Sequence, residues 1–489
     1  MTASAARRRS ALADRAAAAP PLPSDRLERV WAWGMADSVM SHVYRPSTPE
    51  GVAEALALAR SRGLRVGLRG SGRSYGDAAL CAEHICLDLT RMDRILEWNP
   101  QTGVARVEPG VTIGDLWQHT IGDGWWPRVV PGTMHPTIGG CAAMNVHGKN
   151  NFRVGAIGDH ILEFDLMLPS GAIRRCSRTQ NADLFHAAIG GLGMLGCFTS
   201  LTLALHRVHS GLLSVEPIAV HGLGDMLGVF RERAPTADYL VGWVDCFARG
   251  AALGRGLVHE ARYLPPGSDP APAQTLRVAS QELPDTFLGV LPRSLMWRFM
   301  RPLVNDRGVR LVNAARYLSG WRHHGHVHRE SHAGFAFLLD YVPDWHRAYR
   351  PVGLIQYQSF IPAARAEPVF AEQIRIAQRH RLPPYLGVLK RHRPDPFLMT
   401  HSLDGYSLAL DFRVTRTNRA RIQALASELD RLVVEAGGRF YFAKDSTLTR
   451  ESLAAFLDEE RVRSFLALKR TCDPDETLQT ELYRRLLRR

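Results

Sequence analysis

From Thr48 onward, apolar positions recur three and four residues apart. Val52, Ala55, Leu56 and Ala59 share one face, Thr48 is placed to cap and Pro49 sits in the first turn, so the spacing predicts a helix ending near Gly63. That helix feeds a β-like run, Leu64 to Leu68. Short strands are expected at Ile85–Leu89, Ile95–Trp98 and Val104–Val107, with a turn at Asn99 to Gly103. Another helix should begin at Thr112, where Asp115 can close a capping box. Ile161 to Pro169 alternates as a strand, Gly171 turns it, and Ile173 to Cys176 returns; Asp183 to Ile189 reads as helix. This mixture predicts an α+β unit ending near Arg207.

Beyond Arg207 the pattern shifts. Residues 210–262 alternate apolar and polar in strand fashion, and the proline-rich Tyr263 to Pro272 reads as loop. Leu288 to Arg329 carries eight Arg and one Asp among Leu291, Leu295, Trp297, Phe299 and Leu303. Two readings compete there: a surface helix whose apolar face is core, or a basic, greasy lid for a lipid phosphate, because guanidinium pairs with phosphate and Trp, Met and Leu with acyl or prenyl chain. Strands resume at Gly353–Ile361, Tyr385–Lys390 and Ser407–Val414, and a helix is expected over about Arg419–Ala436. The tail from Glu481 to Arg489 is amphipathic and basic, which reads as a solvated terminus or, alternatively, as a contact for anionic lipid.

Two glycine-rich loops stand out. One runs Arg69 to Asp77, directly after a strand; the other runs Pro131 to Gly140 and continues as Asn145-Val146-His147-Gly148-Lys149-Asn150. Without a Cβ, glycine lets backbone lie against a ligand so that successive amides point at phosphate oxygens. Gly70, Gly72 and Gly76 do not have the dinucleotide spacing, and Gly191, Gly193 and Gly196, which do, follow a helix instead of a strand. Either loop alone reads equally well as a turn. Together, with Ser and Thr among the glycines, they suggest a diphosphate-bridged cofactor held from both sides.

These loops, with Gly190 to Gly196, Gln356-Tyr357-Gln358 and Gly437 to Ser446, carry a resemblance that extends over nearly the whole chain. It resembles the FAD-linked oxidoreductases that share the fold of vanillyl-alcohol oxidase, and among them the flavoproteins that oxidise the 2'-hydroxyl of a lipid-linked ribose. The resemblance implies an α+β chain: a two-lobed FAD-binding domain of the PCMH type, plus an α+β substrate domain built on an antiparallel sheet. Residues 1–25 are expected to be disordered, 26–209 to bind FAD, 210–438 to bind substrate and 439–489 to return to the first domain. The implied activity is FAD-dependent oxidation of the 2'-hydroxyl of a polyprenyl-phosphoryl-β-D-ribose to the 2'-keto intermediate. That is the first half of epimerisation to the arabinose form, in arabinose biosynthesis for the cell envelope, with a separate reductase as partner. The alternative is a FAD-dependent oxidase or dehydrogenase of a free sugar, alditol or aldonolactone. A flavin-fold protein kept only for binding or scaffolding is disfavoured by the presence of Tyr75, His147, Lys390 and Lys444.

For FAD, the resemblance assigns Gly70, Ser71, Gly72, Arg73, Ser74 and Tyr75 in the first loop and Gly132, Thr133, Thr137, Gly139 and Gly140 in the second. Asn145, His147, Gly148 and Asn150 follow, then Gly191, Gly193 and Gly196, and finally Tyr441 and Lys444. Alcohol oxidation leaves negative charge on a reduced flavin, which a cation would stabilise. Lys444 is the candidate, although beside Asp445 it also reads as half of a surface pair. His147 is a candidate base or a structural histidine, and Tyr75 faces the flavin or merely packs. Gln356 and Gln358 share a strand face suited to hydroxyl recognition, and Lys390 could meet a substrate phosphate. Ser407 and Ala409 complete the substrate wall. Ala409 stands where the family's ribose oxidases carry a cysteine, and Ser407 where they carry an amide, so reagents aimed at that thiol have no target here. The first loop has no His, the family's usual attachment point, so FAD is expected to be non-covalent.

Composition narrows the rest. With 489 residues and 45% apolar content, two or three domains and a large core are expected. No run approaches the ~20 apolar residues of a membrane span. The net charge of +13 points to an anionic partner, whether nucleic acid, an acidic bilayer surface or a phosphorylated substrate; the resemblance implies a lipid-linked sugar phosphate substrate, with peripheral contact with an anionic membrane. No zinc-finger or nucleic-acid motif is present, so no nucleic-acid partner is expected. Seven cysteines with no C-x-x-C pair read as buried thiols in a reducing compartment. The location expected is cytoplasmic or peripheral on the inner membrane, rather than periplasmic. The His323 to His328 cluster has no acidic or Cys neighbour, and no metal is expected.

Overall fold

The computed structural model describes residues 22–287 and 291–488. Most of the expected disordered N-terminus, and the first three residues of the Arg-rich stretch, lie outside the described residues.

The helix Pro49–Ser61 forms as its pattern predicts: the Thr48 hydroxyl accepts the Gly51 amide, and Val52, Ala55, Leu56 and Ala59 are buried. It covers a four-stranded sheet in which Ile85–Asp88 runs parallel to both Ser38–Tyr44 and Val66–Arg69, with Leu27–Trp31 antiparallel at the edge. A second, antiparallel sheet of five strands is ordered Ile95–Asn99, Val104–Val107, Cys197–Ala204, Ile161–Met167, Ile173–Ser177. The helix Ile113–Thr120 carries the expected Thr112/Asp115 capping box.

The remaining large sheet has eight antiparallel strands, with Tyr239–Val244, Leu386–His392, Gly405–Val414 and Gly353–Pro362 adjacent to one another at its centre. Its strands alternate between two faces. On Gly353–Pro362 one face is taken by helices: Tyr357 donates to Asp430 of the helix Arg419–Glu435, and Ser359 bonds Gln373 of the helix Ala366–Arg379. Gln356 and Gln358 therefore point the other way, toward the cofactor-type loops.

Three expectations are corrected. Residues 210–262 are not all strand, because Leu223–Arg233 is a helix that buries Leu223, Met226, Leu227 and Phe230 at helical spacing. The C-terminal tail is not solvated: Leu482, Tyr483, Leu486 and Leu487 are buried, and Arg485 pairs with both Asp77 and Asp445 at 2.8 Å. The Arg-rich stretch is neither one helix nor a core-facing one; Leu291–Pro292 pairs with the preceding Thr286–Phe287, and short turns, the helix Met296–Met300 and the helix Asp306–Arg322 follow. The chain's last segment joins the first sheet, since the Gln479 amide donates to Val66 and the Val66 amide to Thr477. Arg439–Phe440 still pairs with Gly353–Pro362, so that crossing comes after it.

Candidate active site

A cavity of about 600 Å³ lies between the two glycine loops and the open face of the large sheet. The loops touch. A methyl on Gly70 would fall inside the van der Waals radius of the Thr137 hydroxyl, so only glycine lets the first loop lie this close to the second. The Tyr75 amide donates to the Ala443 carbonyl at 3.0 Å, bringing the Tyr441 to Lys444 turn against the same loop. The second loop is held from behind by Asp340, whose carboxylate accepts from the Thr133 hydroxyl at 2.6 Å and the Met134 amide at 2.8 Å.

Among the described residues, the backbone amides of Gly70 through Ser74 and of Gly132 and Thr133 find no intramolecular acceptor, although these residues line the cavity. Arg73 adds a guanidinium that lies 4.1 Å from the Trp33 ring centre and leaves its Nε without a partner. Unpaired amides converging from two sides, with a cation beside them, fit the diphosphate of FAD.

Opposite the loops, cross-strand neighbours build a wall. Gln358, Ala409, Val388 and Trp243 form one rung across four strands, and Gln356, Asp411 and Leu386 the next. Gln356 donates to Asp411, and Gln358 donates to Ser407 Oγ at 3.2 Å and to His147 Nε2 at 3.1 Å. Lys444 Nζ sits 3.8 Å from the centre of the Tyr75 ring. Burial pulls the Lys444 amine well below its usual range, with Asp411 opposing part of that, while burial raises the Asp411 carboxyl. Asp445, its sequence neighbour, pairs with Arg485 instead, so the surface-pair reading of Lys444 fails.

His147 is packed among Phe360, His392, His401 and Tyr441, with ring centres within 5.6 Å. Burial, reinforced by Lys390 and the two neighbouring histidines, holds its imidazole neutral, and its Nδ1 has no partner. Tyr75 remains a neutral phenol, raised by burial. Lys390 lines the cavity and its amine meets no acceptor among the described residues; burial lowers it to about 8.

Not every expected residue reaches the cavity. Asn145 bonds Gly158 and Asp395, Asn150 bonds the Arg128 carbonyl, and Ser407, fully buried, accepts from Gln358 and contacts His392. Gly148, Gly191 and Gly196 also lie off the lining, where a side chain would strike Asn150, Ala187 and Leu166 respectively. These six shape the scaffold. Conversely, Lys149, Asp340 and Asp411 were not singled out from the sequence. Lys149 had a signal, its place in His147-Gly148-Lys149-Asn150; it donates to the Phe335 carbonyl and burial lowers its amine to about 7.

A family description, FAD binding domain, matches residues 40–177. Over 469 residues, 94% of this chain and 97% of the relative, the chain is 27% identical to the decaprenylphosphoryl-β-D-ribose oxidase of Mycolicibacterium smegmatis. It is 30% identical to an uncharacterised protein of Streptomyces coelicolor over 383 residues, 77% of this chain and all of that one. Mouse L-gulonolactone oxidase is 29% identical over 160 residues, 33% of this chain and 36% of that enzyme. With two glycine loops fitted to FAD and a wall of polar groups facing them, the chain belongs to the FAD-linked oxidoreductases of the vanillyl-alcohol oxidase fold and acts on CH–OH groups.

Proposed function

We propose that the protein oxidises the 2'-hydroxyl of a polyprenyl-phosphoryl-β-D-ribose to the 2'-ketone, leaving a separate reductase to deliver the arabinose epimer. The observation that carries this reading is Lys390. Its unpartnered amine stands on the same sheet face as Gln356 and Gln358, where a phosphoryl group attached to the sugar would be its acceptor. Similarity along almost the whole length of a decaprenylphosphoryl-ribose oxidase supports it.

Held by the two loops, FAD would supply a two-electron acceptor for the alcohol's carbon-bound hydrogen and its electron pair. The hydroxyl proton must then leave to the protein. Lys444, drawn toward neutrality by burial, offers an amine able to accept it near neutral pH. Gln356 and Gln358 are fixed by Asp411 and Ser407, which leaves the other end of each amide for sugar hydroxyls. Neutral His147 orients Gln358 without adding charge.

Product trapping tests the substrate. After incubation with farnesyl-phosphoryl ribose and an electron acceptor, borodeuteride should place deuterium at C2' of the recovered sugar. Enzyme-dependent labelling at a former carbinol carbon of a free pentose or aldonolactone instead, with none in the phosphorylated compound, would assign the enzyme to the free-sugar oxidases of the same fold.

A further inference from the structure

The helix Asp306–Arg322 is built inside out. Its sheet-facing side carries Asn313, which donates to Asp245 at 3.0 Å, Tyr317, whose hydroxyl meets His221 at 3.2 Å, and Gly320, where a methyl would strike Leu257. The line Arg307, Leu311, Ala315, Leu318, Arg322, spaced three and four apart, faces away. Leu311 is 67% exposed, Leu318 50% and Trp321, beside that line, 55%. Phe299 and Leu303, on the turns just before the helix, are exposed as well. A soluble helix normally does the reverse.

The charge around this face has one sign. Arg298, Arg301, Arg307, Arg310 and Arg322 have no carboxylate partner among the described residues, and Asp306, the single acid in the sequence from Leu291 to Arg329, accepts from the Tyr385 hydroxyl. A second copy of the chain covering this patch by two-fold symmetry would set arginine against arginine. An anionic lipid surface suits both features: guanidinium at the phosphates, with Leu and Trp in the acyl boundary. No helix among the described residues is long and apolar enough to cross a membrane, so contact of this kind would be peripheral.

We infer that the outward face of the Asp306–Arg322 helix, with Phe299 and Leu303, seats the protein on an anionic bilayer. The same helix sends Arg316 inward over Trp243, 4.8 Å from its ring centre, to line the cavity, so the seated face adjoins the cavity wall. The inference rests on this surface alone and stands whichever sugar the enzyme oxidises.

Co-sedimentation of the FAD-loaded protein with vesicles tests it. Binding to vesicles of phosphatidylcholine mixed with phosphatidylglycerol should exceed binding to phosphatidylcholine alone by about tenfold or more and weaken in high salt. Leu311→Asp with Leu318→Asp, and separately Arg307→Gln with Arg322→Gln, should each cut binding by about tenfold, with flavin content and the kcat measured on a detergent-dispersed substrate unchanged. Three results would overturn the inference: no binding by the parent protein, equal binding to both vesicle types, or binding unmoved by both variants. A dimer in sedimentation equilibrium that the Leu→Asp pair turns into a monomer would assign the face to self-association instead, which also overturns it.

Discussion

Gly70 and Thr137 lie in van der Waals contact, joining two glycine loops that are far apart in sequence into one edge of a single cavity. The space at Gly70 is already filled by the Thr137 side chain. Gly70→Val should therefore force the loops apart and turn their unpaired amides off target, and an overpacking cost of ~1–3 kcal/mol lowers FAD affinity by about tenfold or more. Flavin absorbance per polypeptide after gel filtration measures this. Acid precipitation of the parent protein should release the colour to the supernatant, as non-covalent binding requires.

Lys444 should matter for turnover rather than for folding. Its amine is enclosed against Tyr75 and is poised by burial to exchange a proton near neutral pH. Lys444→Met is expected to lower kcat by about 10²–10⁴. Lys444→Arg should not restore it, because a guanidinium does not give up its proton in this range. Stopped-flow reduction of the bound flavin reads the chemical step directly, and an unaltered rate in Lys444→Met would remove this residue from the mechanism.

Asp340 clamps the second loop through Thr133 and Met134. Asp340→Ala leaves both donors without a partner, at a cost of ~1–3 kcal/mol for a buried donor. The urea midpoint should fall and FAD dissociation should quicken together. An unchanged FAD affinity would show that the loop keeps its shape unaided.

The same local logic marks how far the sequence could be read. The Pro49–Ser61 helix and both loops were legible because their determinants, a cap, a proline and a run of glycines, sit next to one another in the chain. Asp340 was not, because its loop partners Thr133 and Met134 are remote in sequence and nothing near it announces them. The Leu223–Arg233 helix was hidden between strands, although Leu223, Met226, Leu227 and Phe230 have helical spacing. At the C-terminus, the density of arginine outweighed an equally regular apolar spacing at Leu482, Leu486 and Leu487, yet burial won because Asp77 and Asp445 take up Arg485. Tyr357 and the two glutamines flanking it were assigned to opposite faces by strand alternation alone.

Stability should depend on pH through the enclosed amines. Lys149 and Lys390 are lowered by burial to about 7 and about 8, against the ordinary 10.5. Below those values each amine is charged in folded and unfolded chains alike, and the cost of burying it is fully present. As pH rises toward 10.5 the folded form is neutral while the unfolded chain still holds its protons, so stability rises. The buried thiols act with the opposite sign above 9, because Cys81, Cys141 and Cys197 stay protonated up to about 12 when folded. Denaturant midpoints of the substrate-free protein are expected to climb from pH 7 and to turn over near about pH 9. A monotonic fall from pH 7 would mean that these amines are solvated.

The most direct test is anaerobic titration of the FAD-loaded protein with farnesyl-phosphoryl ribose, following loss of the oxidised flavin spectrum. The account predicts bleaching by the phosphorylated sugar, none by its 2'-deoxy analogue, and a half-saturation raised about 10- to 100-fold in Lys390→Met, the loss of one hydrogen bond to a charged group. Bleaching by free ribose or an aldonolactone with none by the prenyl phosphate, or equal bleaching by the 2'-deoxy compound, would contradict it.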